Sequence, residues 1–127
     1  MDAKHIEGDL WSFGVVEADS GRDRLELRYI GGKDTGFYFH ELVWEKNIDG
    51  KWERFKTLPA NQFSIENTKK AWVAGVHALE PKKGQAIIMV AKGGGRVDYS
   101  WCSYDLLGDS VMKVLQNCKD PYEKYAG

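Results

Sequence analysis

The chain has 127 residues, a hydrophobic fraction of 43%, an aromatic fraction of 13% and a formal net charge of −1. This length is enough to bury a hydrophobic core, and the composition excludes an intrinsically disordered chain. The small net charge gives no general attraction to nucleic acid or to an anionic membrane. We therefore expect one domain over residues 1–127, with short tails at residues 1–8 and 119–127.

The start of the chain and its two cysteines bear on its location. Residues 1–5 have neither the basic segment nor the apolar segment of a secretory signal, and no apolar run reaches the ~20 residues that cross a bilayer. Cys102 and Cys118 both lie in apolar surroundings in the sequence. The simplest expectation is a cytoplasmic protein with two reduced thiols, although a Cys102–Cys118 disulfide is compatible with the sequence.

Two alternating segments, residues 10–18 and 22–30, predict a first β-hairpin around Asp19, Ser20 and Gly21. The glycine can adopt the left-handed backbone conformation that such a turn requires. We expect Ala18 to pair with Arg22. The pairs that follow on one side of the ribbon are Val15 with Leu25, Phe13 with Leu27, and Trp11 with Tyr29.

A second hairpin is predicted over residues 37–56, with its turn at residues 47–50. Pairing Asn47 with Lys51 places Trp44 opposite Arg54 and Lys46 opposite Trp52. The odd-numbered face of this hairpin supplies the expected core residues, which are Phe37, Phe39, Val43 and Phe55. The even-numbered face collects aromatic and cationic side chains instead.

The remainder of the chain predicts two helices and two further strands. Ser64 is a suitable cap for a helix to about Leu79, with its apolar stripe at Ile65, Trp72, Val76 and Leu79. Residues 85–92 are apolar on both faces, which is typical of a central strand, and residues 96–104 alternate again after a glycine turn at 93–95. A second helix is expected from about Asp109. Its apolar stripe is Val111, Val114, Leu115 and Cys118.

The predicted order is therefore hairpin, hairpin, helix, hairpin, helix. Strands joined by short turns give an antiparallel sheet, here of about six strands, and helices segregated from it give an α+β domain. We expect the two helices to pack on one face of the sheet. The sequence does not determine the strand order.

The even-numbered face of the second hairpin is the predicted binding site. Its residues are Tyr38, His40, Trp44, Trp52, Arg54 and Lys56. Aromatic rings beside cations suit contact with a protein partner, including a second copy of the chain, or with a small aromatic or anionic ligand. The same pairs can also stabilise a sheet without binding anything. No metal, nucleotide or cofactor motif is present, so we expect a non-enzymatic binding domain.

Two alternatives remain open. In the first, the same face binds single-stranded nucleic acid, with Lys69, Lys70, Lys82 and Lys83 as a basic patch that contacts the phosphates. In the second, which has the least support, His40 acts as an acid or base of an enzyme. The spacing of the three histidines does not suit a metal site.

Residues 25–79 resemble the single-stranded-DNA-binding transcriptional coactivators over less than half of the chain. The residues that resemble the family are Asp49-Gly50-Lys51-Trp52, Lys56 and Trp72, in the order hairpin, lysine-rich strand, helix. Residues 57–63 depart from the family pattern before the expected helix. The resemblance implies a nucleic-acid-binding role for the second hairpin.

Overall fold

The computed structural model describes residues 4–32, 36–60, 63–65, 69–92, 98–107 and 116–119, and these residues form an all-β structure. Ten strands lie in two five-stranded antiparallel sheets, and the described residues contain no helix. The strands are β1 (Lys4–Glu7), β2 (Leu10–Ala18), β3 (Asp23–Gly32), β4 (Gly36–Ile48), β5 (Lys51–Pro59), β6 (Phe63–Ile65), β7 (Lys69–Glu80), β8 (Gln85–Lys92), β9 (Asp98–Asp105) and β10 (Gln116–Lys119).

Each sheet is a meander in which strands adjacent in the sequence are adjacent in space. The first sheet has the order β1-β2-β3-β4-β5, and the second has the order β10-β9-β8-β7-β6. This arrangement follows from the short connections, because antiparallel neighbours can be joined by tight turns. It leaves β1 and β5 at the two edges of the first sheet.

The core lies between the sheets. It contains Leu25, Leu27, Tyr29, Leu42, Trp44, Leu58, Ala60, Val73, Leu79, Ala86, Ile88, Val90, Cys102, Tyr104 and Leu106. We call the face of the first sheet that carries Leu25, Leu42 and Trp44 its inner face, and the opposite face its outer face. The Tyr104 hydroxyl donates a hydrogen bond to the Pro59 carbonyl at 3.1 Å and thereby links the second sheet to the end of β5.

The predicted helix over residues 64–79 is wrong, because β6 and β7 occupy this segment. The pairing of β7 with β8 shifts between Val73 and Gly75 and again between Val76 and Ala78. Each bulge inserts one extra residue. The core residues of β7 therefore recur every three positions, at Val73, Val76 and Leu79, and this spacing imitates the stripe of a helix.

The predicted α+β class is wrong as well. A strand, β10, occupies part of the second predicted helix, while residues 108–115 lie outside the described residues. The second sheet, not a pair of helices, covers the inner face of the first sheet. The expected N-terminal tail at residues 1–8 contains β1, and residues 120–127 and the predicted turn at 93–95 lie outside the described part.

The bounds of β8 and one pair of the first hairpin are predicted correctly. Strand β8 has the predicted bounds, and the first hairpin pairs Trp11 with Tyr29 as expected. A bulge between Ser12 and Gly14 shifts the rest of that hairpin by one residue. The observed pairs are Gly14 with Leu27, Val16 with Leu25, and Ala18 with Asp23, so the predicted partners of Leu27, Leu25 and Ala18 are wrong by one residue.

Cys102 is buried in the core and is disulfide-bonded, so the expectation of a reduced thiol at this position is wrong. The only other cysteine in the sequence is Cys118, on β10. This strand pairs with β9 through Gln116 opposite Ser103 and Lys119 opposite Trp101. The backbone register thus brings the two cysteine positions to adjacent strands.

Within the described ranges, no helix has the length and apolar character that a bilayer crossing requires.

Candidate partner-binding edge

The β4–β5 hairpin turns through two residues, Asp49 and Gly50. Ile48 pairs with Lys51, and both turn residues have positive φ, 54° and 84°, as a type I′ turn requires. The Asn47 side-chain oxygen accepts a hydrogen bond from the Gly50 N–H at 3.0 Å. The predicted pairing of Asn47 with Lys51 is therefore wrong by one residue.

This shift moves the predicted partners to different faces of the sheet. Trp52 pairs with Asn47 and Arg54 pairs with Glu45, and a bulge then leaves Phe55 between Arg54 and Lys56. Because directly opposed residues share a face, Trp52 and Arg54 lie on the outer face with Glu45. Lys56 pairs with Trp44 and lies on the inner face. The predicted Trp44–Arg54 and Lys46–Trp52 pairs do not form.

On the inner face, a buried carboxylate anchors the hairpin. The Trp44 indole Nε1–H donates to Asp23 Oδ2 at 2.7 Å, and Lys46 Nζ donates to the same oxygen at 3.1 Å. Lys46 Nζ also lies 4.7 Å from the centroid of the Phe55 ring, which meets Trp44 edge-on at 4.7 Å. Trp44 is only 2% exposed, whereas Phe55 is 50% exposed. Of these two rings, Phe55 is the one that a ligand can touch.

On the outer face, β3 and β4 carry a network of ion pairs. Arg24 binds Glu45 Oε1 at 2.8 Å, and Arg28 binds the same oxygen at 3.1 Å and Glu26 at 2.5 Å. Arg28 and Glu45 are both buried, so their charges depend on one another for compensation. The Arg24 guanidinium also lies 4.3 Å from the Trp52 ring centroid, which fixes Trp52 beside the network.

Strand β5 is the edge strand beside both the Asp23 contacts on the inner face and the ion-pair network on the outer face. Most of its residues from Lys51 to Thr57 are exposed, and no described strand pairs with its free side. An edge strand presents a row of backbone N–H and C=O groups that can pair with another chain. Lys51, Arg54 and Lys56 form no ion pair with any described residue. These three cations differ in this respect from Arg24, Arg28 and Lys46.

Three of the six predicted site residues thus converge on β5, which are Trp52, Arg54 and Lys56. Trp44 lies in the core. The backbone positions of Tyr38 and His40 belong to β4, with His40 opposite Tyr29, but their side chains lie outside the described part of the chain.

The four lysines of the predicted basic patch belong to the two ends of β7. Lys69 and Lys70 begin β7, and their side chains lie outside the described part. Lys82 and Lys83 follow its other end, roughly 35 Å away at about 3.3 Å per residue. Lys83 pairs with Glu80 at 3.4 Å, and both lysines line a shallow concavity of about 290 Å³ beside the β2–β3 turn.

The sequence prediction left two residues of this edge out of the site. Phe55 was expected in the core, and Lys51 was expected to pair with Asn47 but was not among the predicted site residues. The Asp-Gly dipeptide at positions 49 and 50 is a strong signal for a two-residue turn, and it would have corrected the register. The bulge at Phe55 has no comparable signal in the sequence.

In the residues that the structure covers, no group of three or more histidine, cysteine, aspartate or glutamate side chains could hold a metal ion. Comparisons with protein-family models, curated proteins and solved structures find no match to this chain.

Proposed function

We propose that the chain is a protein-binding domain that pairs its β5 edge with an extended segment of a partner. The observation that supports this proposal most strongly is the nine-residue length of β5, combined with the exposure of most of its side chains and the lack of any described strand on its free side. Backbone hydrogen bonds along such an edge provide affinity for an extended peptide, while flanking side chains provide specificity.

Side chains on both faces of the sheet border this edge. Trp52 and Arg54 lie on the outer face, and Phe55 and Lys56 lie on the inner face. A strand placed beside β5 would contact both pairs, since its own side chains alternate between the two faces. The split of the predicted site between two faces is therefore compatible with a single strand-shaped ligand.

The nucleic-acid alternative has less support from the geometry. Trp44 is buried and Trp52 already has the Arg24 guanidinium against its ring, so neither offers a free pair of faces for base stacking. The resemblance to a nucleic-acid-binding family implied that Trp72 lies in a helix, but Trp72 belongs to strand β7. The backbone separation of the lysine pairs at the two ends of β7 does not favour a continuous track for phosphates.

The compartment forms part of the proposal. A cytoplasmic location is the expectation from the sequence, but the disulfide at Cys102 favours an oxidising compartment, because cytosolic thiols are kept reduced. Alkylating the protein's thiols directly in cells and then counting the modified cysteines distinguishes a cytoplasmic location from an oxidising compartment. Two reactive thiols would contradict the oxidising compartment.

Binding of short peptides tests the proposed function. The test uses three fluorescein-labelled peptides of nine residues, each with valine at alternate positions. The intervening residues are all glutamate in the first peptide, all threonine in the second and all lysine in the third. The three peptides thus present the same extended backbone with different charge. We expect the fluorescence anisotropy of at least one peptide to rise to saturation as the protein is added. The double variant Trp52→Ala with Phe55→Ala should weaken the affinity for that peptide at least fivefold.

The matched control is Ile6→Ala, which removes an exposed apolar side chain from β1, the other edge of the same sheet. It should leave the affinity within twofold of the unmodified protein. Failure of all three peptides to bind, or equal weakening by Ile6→Ala, would contradict pairing at β5.

A further inference from the structure

We infer that the segment paired with the β5 edge is acidic, with two or three carboxylates in a run of about nine residues. This inference rests on the proposed function, since it names the chemistry of the partner at the same edge.

The charge of β5 itself is the first step. The strand carries Lys51, Arg54 and Lys56 against one carboxylate, Glu53. None of these four side chains forms an ion pair with the described residues. The strand thus presents an excess of uncompensated positive charge along its free side.

The second step is the state of the cations on the neighbouring strands. Arg24 and Arg28 share Glu45, with Glu26 as a second partner of Arg28, and Lys46 binds Asp23. Their charges are therefore balanced within the sheet. The remaining positive electrostatic field at this edge therefore arises from β5. At physiological ionic strength such a field extends about 8–10 Å. A strand added beside β5 would lie about 4.8 Å away and therefore within it.

The third step is the distribution of these cations over the two faces. Arg54 lies on the outer face with Glu45, whereas Lys51 and Lys56 lie on the inner face, opposite Ile48 and Trp44. Carboxylates on one face of the partner strand would meet Arg54 if that face is the outer one, or Lys51 and Lys56 if it is the inner one. Apolar side chains on the partner's opposite face would then meet Phe55 on the inner face or Trp52 on the outer face.

The same charges disfavour a second copy of the chain as the partner. Two β5 strands side by side bring together six cations and only two carboxylates, so the positive charges outnumber the negative ones in any register. Like charges placed directly opposite each other in a sheet are destabilising. The bulge at Phe55 further interrupts the regular backbone pairing that two identical edges would need.

The three alternating peptides described above provide the test. At 50 mM salt we expect the glutamate peptide to bind at least tenfold more tightly than the threonine peptide, with the lysine peptide weakest. The advantage should shrink to less than threefold at 0.5 M salt, because the charges lie at the surface and are screened.

Charge reversal provides the matched comparison. The double variant Lys51→Glu with Arg54→Glu should invert the order, so that the lysine peptide binds best. Lys82→Glu, which changes an exposed lysine of the β7–β8 turn, should change each affinity by less than twofold. Circular dichroism of the double variant verifies that the sheets remain folded.

The outcomes separate the inference from the proposed function. Equal binding of the glutamate and threonine peptides would overturn the acidic partner while strand pairing stands. No binding of any peptide would overturn strand pairing itself. Two other results would also overturn the inference. One is that a nine-nucleotide oligothymidine binds as tightly as the glutamate peptide. The other is that sedimentation detects dimers of the protein that Arg54→Glu abolishes.

Discussion

At the scale of single residues, Asp23 determines the geometry of the inner face beside β5. It is 5% exposed, and one of its oxygens accepts hydrogen bonds from both Trp44 and Lys46. A buried donor that loses its acceptor costs about 1–3 kcal/mol. The Lys46 side chain is 38% exposed and can turn toward water, so Trp44 is the residue that most needs this carboxylate.

Replacing Asp23 tests this role. Asp23→Ala should lower the free energy of unfolding by about 2–4 kcal/mol, since it removes the acceptor of the Trp44 N–H and a partner of a charged group. Asp23→Asn should cost less, because the amide oxygen can still accept from the indole. Urea unfolding followed by tryptophan fluorescence measures both.

The control is Glu53→Ala, an exposed carboxylate without a described partner, which should change stability by less than about 0.5 kcal/mol. Equal losses for Asp23→Ala and Glu53→Ala would contradict the anchoring role.

Two core tyrosines predict a fall in stability at high pH. Burial raises the pKa of Tyr29 to about 12, with a smaller contribution from Tyr99, and burial raises the pKa of Tyr104 to about 12. An unfolded tyrosine has a pKa of about 10. The folded state therefore holds these protons more tightly, and the stability that they contribute is complete below pH 10 and is lost between pH 10 and 12.

Absorbance at 295 nm, together with urea unfolding at pH 9 and pH 11, checks this prediction. Tyr29 and Tyr104 should remain largely protonated at pH 11 in the folded protein, and Tyr104→Phe should reduce the dependence of stability on pH. Ionisation of all six tyrosines near pH 10 in the folded protein would show that Tyr29 and Tyr104 are not buried.

At the scale of elements, the sequence predicted the positions of the first two hairpins, but it misplaced the second turn by one residue and failed where bulges interrupt the strands. Strand β8 has no bulge relative to β9, and its bounds were predicted correctly. Strand β7 has two bulges, so its core residues lost the two-residue alternation that identifies a strand. A bulge depends on the partner strand, and no pattern within one segment reveals it.

The candidate site shows the same limit. Trp52, Arg54 and Lys56 were selected because they combine aromatic and cationic character, and the structure does bring them to one strand. Their division between two faces follows from the bulge at Phe55, and their exposure follows from the place of β5 at a sheet edge. Both properties depend on long-range order, which the sequence pattern does not contain.

Two glycines at hairpin turns predict different costs on substitution. Gly50 has φ +84° and open space where a Cβ would lie, so Gly50→Ala should cost about 1 kcal/mol from backbone conformation alone. Gly84 has φ +63°, and a Cβ there would lie 2.7 Å from Leu107 Cγ. Gly84→Ala should therefore lower the melting temperature further than Gly50→Ala. The reverse order would contradict the packing of Leu107 against the β7–β8 turn.

At the scale of the whole molecule, the disulfide of Cys102 is expected to secure the second sheet. Non-reducing peptide mapping should show Cys102 linked to Cys118, which closes a loop of about 15 residues. Such a loop contributes about 3 kcal/mol to stability in the chain-entropy estimate. Reduction should lower the urea midpoint accordingly, and Cys102→Ser should reproduce the loss without added reductant. A midpoint unchanged by reduction would contradict this contribution.

The arrangement of two sheets around a shared core places β5 at an edge, and the proposed function depends on that position. Backbone amide hydrogen exchange tests this edge position most directly. The exchange rates of the free protein are compared with those of the protein saturated by the glutamate peptide. In the free protein, the central strands β3 and β8 should exchange slowly, while the amides on the free side of β5 exchange fast. The peptide should slow these β5 amides at least tenfold and leave β1 unchanged. Slow exchange along all of β5 in the free protein, or protection by the peptide at any other strand, would contradict strand pairing at this edge.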